Sequence, residues 1–382
     1  MLHLRQRVLS HLLSAALHPS TTLLLSLHHL LSAAASAISP NPSFAVEDYL
    51  VSTCGLTRAQ ALAFAKLSHL KSPAKPDAVL AFLTGLGLSG AGATALVARA
   101  PLFLCAKVET TLSPVVAGLT GLGLSNAEIA RLVSLVPGYF RCRSVVSKLE
   151  YYLPLFGPID NLLRPLRHVL GSDLERVVKP NVKLLAECGL GACEIAKLFI
   201  GAPRMFGAKL GRVLEMVACA EGIGVPRGSG MFGHALHVVS CFSEEKITAK
   251  VDYLKMFRWS DAEVGIAVSK GPFMLARSKD MLKRRSDFLI SEVGLEPAYI
   301  AHRPAMLTYS LEGRLRPRYY VVKFLKENGL LEHGRSYYTT LVETEKVFMK
   351  KFICPHKEAA PHLAEDYVAA CKGEVPARFR FT

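Results

Sequence analysis

Six cations recur at one place in the chain's internal period. Lys148, Lys179, Arg212, Lys250, Arg285 and Arg318 each precede a marked turn by 8 to 12 residues. Cations at regular spacing neutralise phosphates, and a row of them suits a polymer that repeats its own charge. Each is expected at the start of a helix, where it opposes the helix dipole but where a bound phosphate would meet both the cation and the helix's free amides. Denser clusters accompany the row. Lys279, Lys283 and Arg284 join Arg285 and Arg277, with Asp280 and Asp287 partly offsetting them. Arg314 and Arg316 join Arg318 beside Tyr319 and Tyr320, and Arg141 and Arg143 follow Pro137 beside Phe140. Guanidinium groups hold phosphate bidentately and an aromatic face stacks on an unpaired base. The plainer reading of the same residues is a solvated helix start with half-buried tyrosines.

These cations need elements to carry them, and the sequence supplies a repeat. An apolar-flanked Gly is followed 14 residues later by Pro and apolar residues: Leu86-Gly87-Leu88 then Pro101-Leu102-Phe103-Leu104, and Leu122-Gly123-Leu124 then Pro137-Gly138-Tyr139-Phe140. Gly189 pairs in the same way with Pro203-Arg204-Met205-Phe206. The slot runs Gly87, Gly123, Gly157, Gly189, Gly224, Arg258, Gly294 and Gly329, in steps of 32 to 36. Pro272 follows Arg258 by 14, Pro304 comes only 10 after Gly294, and Gly171 and Val238 stand where Pro is missing. Helical spacing precedes each slot, as in Leu149, Leu153 and Phe156. Gly suits a left-handed helix end, Ser125-Asn126-Ala127-Glu128 reads as an N-cap, and Pro ends the second helix. The unit is therefore helix, Gly turn, helix, Pro break. A fixed period of this length indicates a superhelical solenoid, all-α, of about eight helix-pair repeats.

The phrases Gly-Leu-Ser-Asn-Ala-Glu-Ile-Ala-Arg-Leu-Val at 123–133, Lys-Leu-Glu-Tyr-Tyr-Leu at 148–153 and Val-Asp-Tyr-Leu-Lys-Met-Phe-Arg-Trp-Ser at 251–260 resemble mitochondrial transcription termination factor (mTERF) repeats, the plant organellar branch above all. The resemblance covers residues 77 to 335. It implies a left-handed superhelix of helix pairs with a short extra turn after each Pro. It also implies organellar nucleic-acid binding in transcription, termination or RNA processing. The departure is the Pro missing from three units.

Composition narrows the function. The net charge is +15, and residues 141–355 hold 33 basic against 22 acidic side chains, so the excess lies on repeats three to eight. A basic solenoid surface attracts a polyanion. The nine Cys form no C-x-x-C pair and are odd in number, which excludes a complete disulfide framework. Cys354, His356, His362 and Cys371 match no common zinc spacing, and Gly222 to Gly233 lacks the ending of a phosphate loop. No catalytic, cofactor-binding or metal-binding set stands out, so the chain reads as no enzyme, with no cofactor. Residues 1–46 carry Arg5, Arg7 and five His but no Asp or Glu. That composition suits an organellar transit peptide, mitochondrial rather than chloroplast because Arg and Leu enter directly after Met1.

The expected organisation is a transit peptide and linker at 1–46, an N-terminal helical cap at 47–76, repeats at 77–335 and a C-terminal cap and tail at 336–382. The expected function is regulation of mitochondrial transcription or its termination, by binding double-stranded DNA on a basic concave surface. RNA binding for intron splicing or rRNA maturation is the alternative, and a protein-interaction scaffold is the alternative of another class. A monomer without membrane insertion or small-molecule substrate is expected.

Overall fold

The computed structural model describes residues 45–66, 70–256, 259–332 and 334–374. Nearly all of the expected transit peptide, and Arg258 in the sixth Gly slot, lie outside the described residues. The chain divides into two compact units, Met1–Pro73 and Ala74–Thr382. In the first, the helices Val46–Ser52 and Arg58–Ala65 pack together, the second opened by Thr57 and Gln60 in a reciprocal capping box.

The second unit is built of helix pairs, and the described residues contain no strand. The first helices of repeats one to eight are Ala74–Gly85, Ser113–Gly121, Ser144–Phe156, Lys179–Glu187, Leu210–Gly222, Glu244–Lys255, Lys279–Asp287 and Arg316–Glu327. The second helices are Gly90–Arg99, Asn126–Leu135, Ile159–Val169, Ala192–Gly201, Phe232–Cys241, Asp261–Lys270, Pro297–Ala301 and Tyr337–Val342. The seventh second helix is cut to five residues, which is why Pro304 arrives early.

Local chemistry explains each boundary. At Gly123, φ is +87°; its N–H donates to Thr120 and that of Leu124 to Leu119, closing the helix as a Schellman turn. Ser89, Ser125 and Ser260 then cap the following helices, the last two reciprocally with Glu128 and Glu263. After each Pro comes one short turn: Pro101–Cys105, Pro137–Phe140, Pro203–Phe206, Pro272–Ala276 and Pro304–Thr308. Pro fits there because a first-turn residue has no intrahelical acceptor for its amide.

The apolar residues of those turns form the core between neighbouring pairs. Phe103, Leu104, Phe140, Met205, Phe206, Met274, Leu275, Met306 and Leu307 are all buried. Phe156 of repeat three stacks on Phe199 of repeat four with centroids 3.8 Å apart, and Phe206 meets both edge-on. The helix Ser144–Phe156 packs on Ser113–Gly121 before it and Ala192–Gly201 after it, and Ala192–Gly201 packs in turn on Phe232–Cys241. Each pair thus buries its apolar face against its sequence neighbours. At the C-terminal end, Leu363–Cys371 packs on Arg316–Glu327, and Phe348, Phe352 and Tyr367 join Val321 and Leu325 in one cluster.

The Gly turns differ in how much room they leave. A Cβ on Gly189, where φ is +87°, would lie 2.8 Å from the Gly228 Cα; one on Gly123 would meet nothing within 4 Å. Gly189→Ala is therefore expected to destabilise by roughly 2 kcal/mol or more, and Gly123→Ala by about 1–2 kcal/mol from backbone strain alone. Gly90→Ala, in a helical first turn with open space, is expected to stabilise by about 0.5 kcal/mol. Urea unfolding of the three variants checks the order, and equal losses at Gly189 and Gly123 would contradict the close packing.

Candidate nucleic-acid interface

The Pro turns leave a problem at their far end. A short turn ends with carbonyls that no intrahelical amide satisfies, and here those carbonyls are buried. The first helix of the same repeat answers with a long polar side chain. Lys250 Nζ donates to the carbonyls of Leu275 (2.6 Å) and Arg277 (3.0 Å). Arg285 Nη1 donates to Leu307 at 2.7 Å. Arg318 Nη1 reaches Thr340, Leu341 and Glu343 at 3.1, 3.1 and 2.7 Å, while its Nη2 pairs with Glu345 at 2.9 Å. Lys148 donates to the Leu170 carbonyl, although Gly171 stands there in place of Pro. Repeat four uses an amide instead: Asn181 Nδ2 donates to Phe206 at 3.1 Å and Ala208 at 2.8 Å.

These bonds correct the expected phosphate row. Arg318 is 0% and Arg285 6% exposed, so neither guanidinium faces a ligand in solvent. Burial pushes the Lys148 and Lys250 ammonium groups below the usual lysine range. The other two of the six are exposed or nearly so but paired on their own helices: Lys179 with Glu175 (2.6 Å) and Arg212 with Glu215 (2.8 Å). Four members of the row recur because their repeats satisfy the same carbonyls. The burial of Arg285 and Arg318 removes them from the expected row, and the half-buried Lys148 and Lys250 are turned to backbone carbonyls.

The denser clusters divide in the same way. Lys283 pairs with Asp287 and Arg284 with Glu312. Arg316 is held by Glu292 and Glu312, and Arg314 donates to the carbonyls of Leu341 and Glu343 while lying over Tyr309. Tyr319 and Tyr320 are half-buried, and the Tyr319 hydroxyl donates to the Glu292 carbonyl. Arg141, Arg143 and Lys279 stay exposed, and no carboxylate among the described residues pairs with them. Lys279 lies over the Tyr253 ring.

What replaces the row is a separation of charge between the two ends of each pair. The Gly-turn ends carry Glu128, Asp160, Glu187, Glu194, Glu221, Asp261, Glu263 and Glu296, many in a second helix's first turn, where the dipole favours them. The Pro-turn ends carry Arg141, Arg143, Arg167, Arg204, Lys209, Lys270, Arg277, Lys279 and Arg303, which outnumber Asp173, Glu175, Glu244, Glu245 and Asp280 there. Of these, Arg167, Arg204, Lys209, Lys270 and Arg303 were not singled out by the sequence reading. Counting from Pro instead of Gly would have found them.

The Pro-turn ends of successive repeats adjoin. Tyr139 lies against Gly171, Ser172 against Gly207, and His237 against Gly201, each so close that a Cβ on the Gly would come within 2.7 Å. The His234 and Phe273 rings meet at 5.8 Å, and Lys270 Nζ lies 2.9 Å from His302 Nδ1. The cations therefore follow one continuous edge from repeat two to repeat seven. Burial, with Arg167 and Arg204 close by, holds His168 below the usual imidazole range; burial and His234 do the same for His237.

The internal and edge cations are separable by mutation. Arg318→Met leaves the buried Thr340 carbonyl without its side-chain donor, leaves those of Leu341 and Glu343 to Arg314 alone, and is expected to cost about 2–3 kcal/mol. Lys250→Met is expected to cost about 1–2 kcal/mol, and the exposed Lys270→Met no more than about 0.5 kcal/mol. Thermal and urea unfolding check this order; an Arg318 variant as stable as the Lys270 variant would remove the structural role.

Comparison with known proteins agrees with this architecture. The mTERF family model matches residues 157–349, half of the chain. The chain is 21% identical over 261 residues to transcription termination factor MTERF8, chloroplastic, of Arabidopsis thaliana, covering 66% of this chain and 51% of that protein. It is 22% identical over 219 residues to transcription termination factor MTERF15, mitochondrial, of the same plant, covering 56% and 48%. The chain thus spans about half the length of the curated relatives it matches. Helix pairs at a period of 32 to 36 residues, Pro turns sealed by a side chain from the first helix, and the family match together identify the chain as a member of the mTERF family.

Proposed function

We propose that this chain is an organellar nucleic-acid-binding regulator of transcription or its termination, and that it holds double-stranded DNA by its phosphates along the Pro-turn edge. The observation that carries the reading is the charge bias: Arg and Lys in excess and without carboxylate partners at the Pro-turn ends, cations such as Lys183, Arg227 and Lys255 matched by carboxylates at the Gly-turn ends. A polyanion would be drawn to one edge and repelled from the other. The helix pairs add to this, since each Pro-turn end also presents the amides that open the next first helix. Binding of this kind needs no catalytic group and no cofactor, and we read the chain as a binder, not an enzyme, acting as a monomer. No helix among the described residues is long and apolar enough to cross a membrane. The names of the relatives, one chloroplastic and one mitochondrial, support an organelle. The early Arg5 and Arg7 favour the mitochondrion.

A second reading, an RNA-binding factor for intron splicing or rRNA maturation, draws on Tyr139. This ring is 38% exposed at a Pro turn, next to Arg141 and Arg143, where an unpaired base could stack.

A salt titration on duplex DNA and on single-stranded RNA tests both. Replacing Arg141, Arg204 and Arg277 by Ala is expected to lower the slope of log affinity against log salt by about 2 to 3, at about 0.7–0.9 per phosphate contact. Replacing Lys183, Arg227 and Lys255, at the opposite ends of the pairs, is expected to change it by less than about 1. Equal losses from the two triple variants would leave only net charge as the cause. Stronger losses on RNA than on DNA would favour the second reading.

A further inference from the structure

Among the edge cations, Arg303 is held in a way the others are not. It follows the shortened second helix of repeat seven and directly precedes Pro304. Its guanidinium carbon lies 3.9 Å from the Tyr299 ring centre and 5.5 Å from that of Tyr338, both within reach of a cation–π attraction. Tyr299 comes from its own helix and Tyr338 from the second helix of repeat eight. The Tyr299 hydroxyl is in turn fixed to Ser336 Oγ at 2.8 Å. Two repeats therefore clamp one guanidinium.

The clamp leaves the group's hydrogen-bonding capacity unspent. Among the described residues no carboxylate or carbonyl accepts from the Arg303 side chain, whereas the ring-stacked Arg314, Arg316 and Arg318 all donate to carbonyls or carboxylates of the protein. Ring faces occupy the face of a guanidinium and leave its in-plane N–H groups open. Beside it, the Lys270 ammonium lies 2.9 Å from His302 Nδ1. An ammonium only donates, so Nδ1 accepts and the imidazole proton sits on Nε2. Lys270 thus adds its positive charge at the residue that precedes Arg303 in the chain.

We infer that Arg303, with Lys270 beside it, is a preorganised seat for a single phosphodiester, taken bidentately by the guanidinium. The inference rests on the proposed nucleic-acid binding and names one contact within it. A phosphate fits better than the edge of a guanine. Arg303 is half-buried and clamped between two rings, so its guanidinium does not extend into a groove, and a second cation, Lys270, is bonded to the preceding residue. Prior clamping also means that little side-chain freedom is lost when the phosphate docks.

The test compares conservative variants in the full chain. Arg303→Lys keeps the charge but loses the planar fork, and is expected to weaken duplex binding about tenfold. Arg227→Lys, at a Gly-turn end and paired there with Glu221, is expected to change it by less than about twofold. Tyr299→Phe keeps the ring and is expected to bind like the wild type, while Tyr299→Leu is expected to lose about as much as Arg303→Lys. Melting curves for each variant establish that the fold is retained, and Tyr299→Phe controls for the lost hydroxyl. The series is repeated on a duplex of A·T pairs only. The same tenfold loss there supports a phosphate seat, and a loss confined to G-containing duplexes overturns it. Equal small losses from Arg303→Lys and Arg227→Lys overturn the seat while leaving the proposed function standing. Failure of the wild type to bind any duplex or single strand removes the functional reading itself, and the seat with it.

Discussion

The structure depends on how the chain disposes of the carbonyls at the end of each Pro turn. A Pro break closes five of the eight repeats and lets the helix pairs stack, but it leaves a short turn whose last carbonyls have no helical partner. A buried carbonyl without a donor costs about 1–3 kcal/mol, and a stack of repeats multiplies that cost. In repeats three, four, six, seven and eight the first helix removes it by sending back Lys148, Asn181, Lys250, Arg285 or Arg318. One guanidinium nitrogen of Arg318 serves three carbonyls at once, in the repeat whose first helix packs on the C-terminal cluster. The side chain is polar because of where its tip ends, and long because of how far the turn lies from the helix.

This constraint also determines which charges remain for a partner. Cations used on carbonyls are withdrawn from solvent, and those on exposed helix faces are largely matched by Glu or Asp a turn away, as in Lys179–Glu175 and Lys283–Asp287. Pairs of that kind contribute little to stability and cancel in the far field. The unmatched cations are left at the Pro-turn ends, beside the C-termini of the second helices, where the dipole favours them. Carboxylates collect at the other ends for the same reason, as caps of the second helices. The rule that ends each helix therefore also divides the charge, and the interface follows from the fold's own caps.

Much of this was legible in the sequence. Gly87, Gly123 and Gly189 stood out because only a residue free of Cβ strain closes the helix this way, and their φ values of +87° to +93° agree. The Pro phrases gave the period, and the apolar residues after each Pro gave the core. The role of the periodic cations was not legible. Counting back from Gly found a real recurrence but could not say whether a lysine tip points at solvent or at a backbone oxygen. It also chose Lys179 where the structure uses Asn181, since a search for charge overlooks a neutral amide that donates just as well. Arg303 was missed because its two rings come from separate repeats and meet only in the folded chain.

Hydrogen exchange of the unmodified protein, with and without duplex DNA, tests the central claim most directly, because it reads which end of the repeats the partner covers. The account predicts slower amide exchange in the Pro-turn segments 137–147, 200–212, 268–283 and 301–310. It predicts unchanged exchange in the Gly-turn segments 121–128, 187–194 and 221–228 of the same chain. Protection of the Gly-turn segments, or equal protection of both ends, would contradict it.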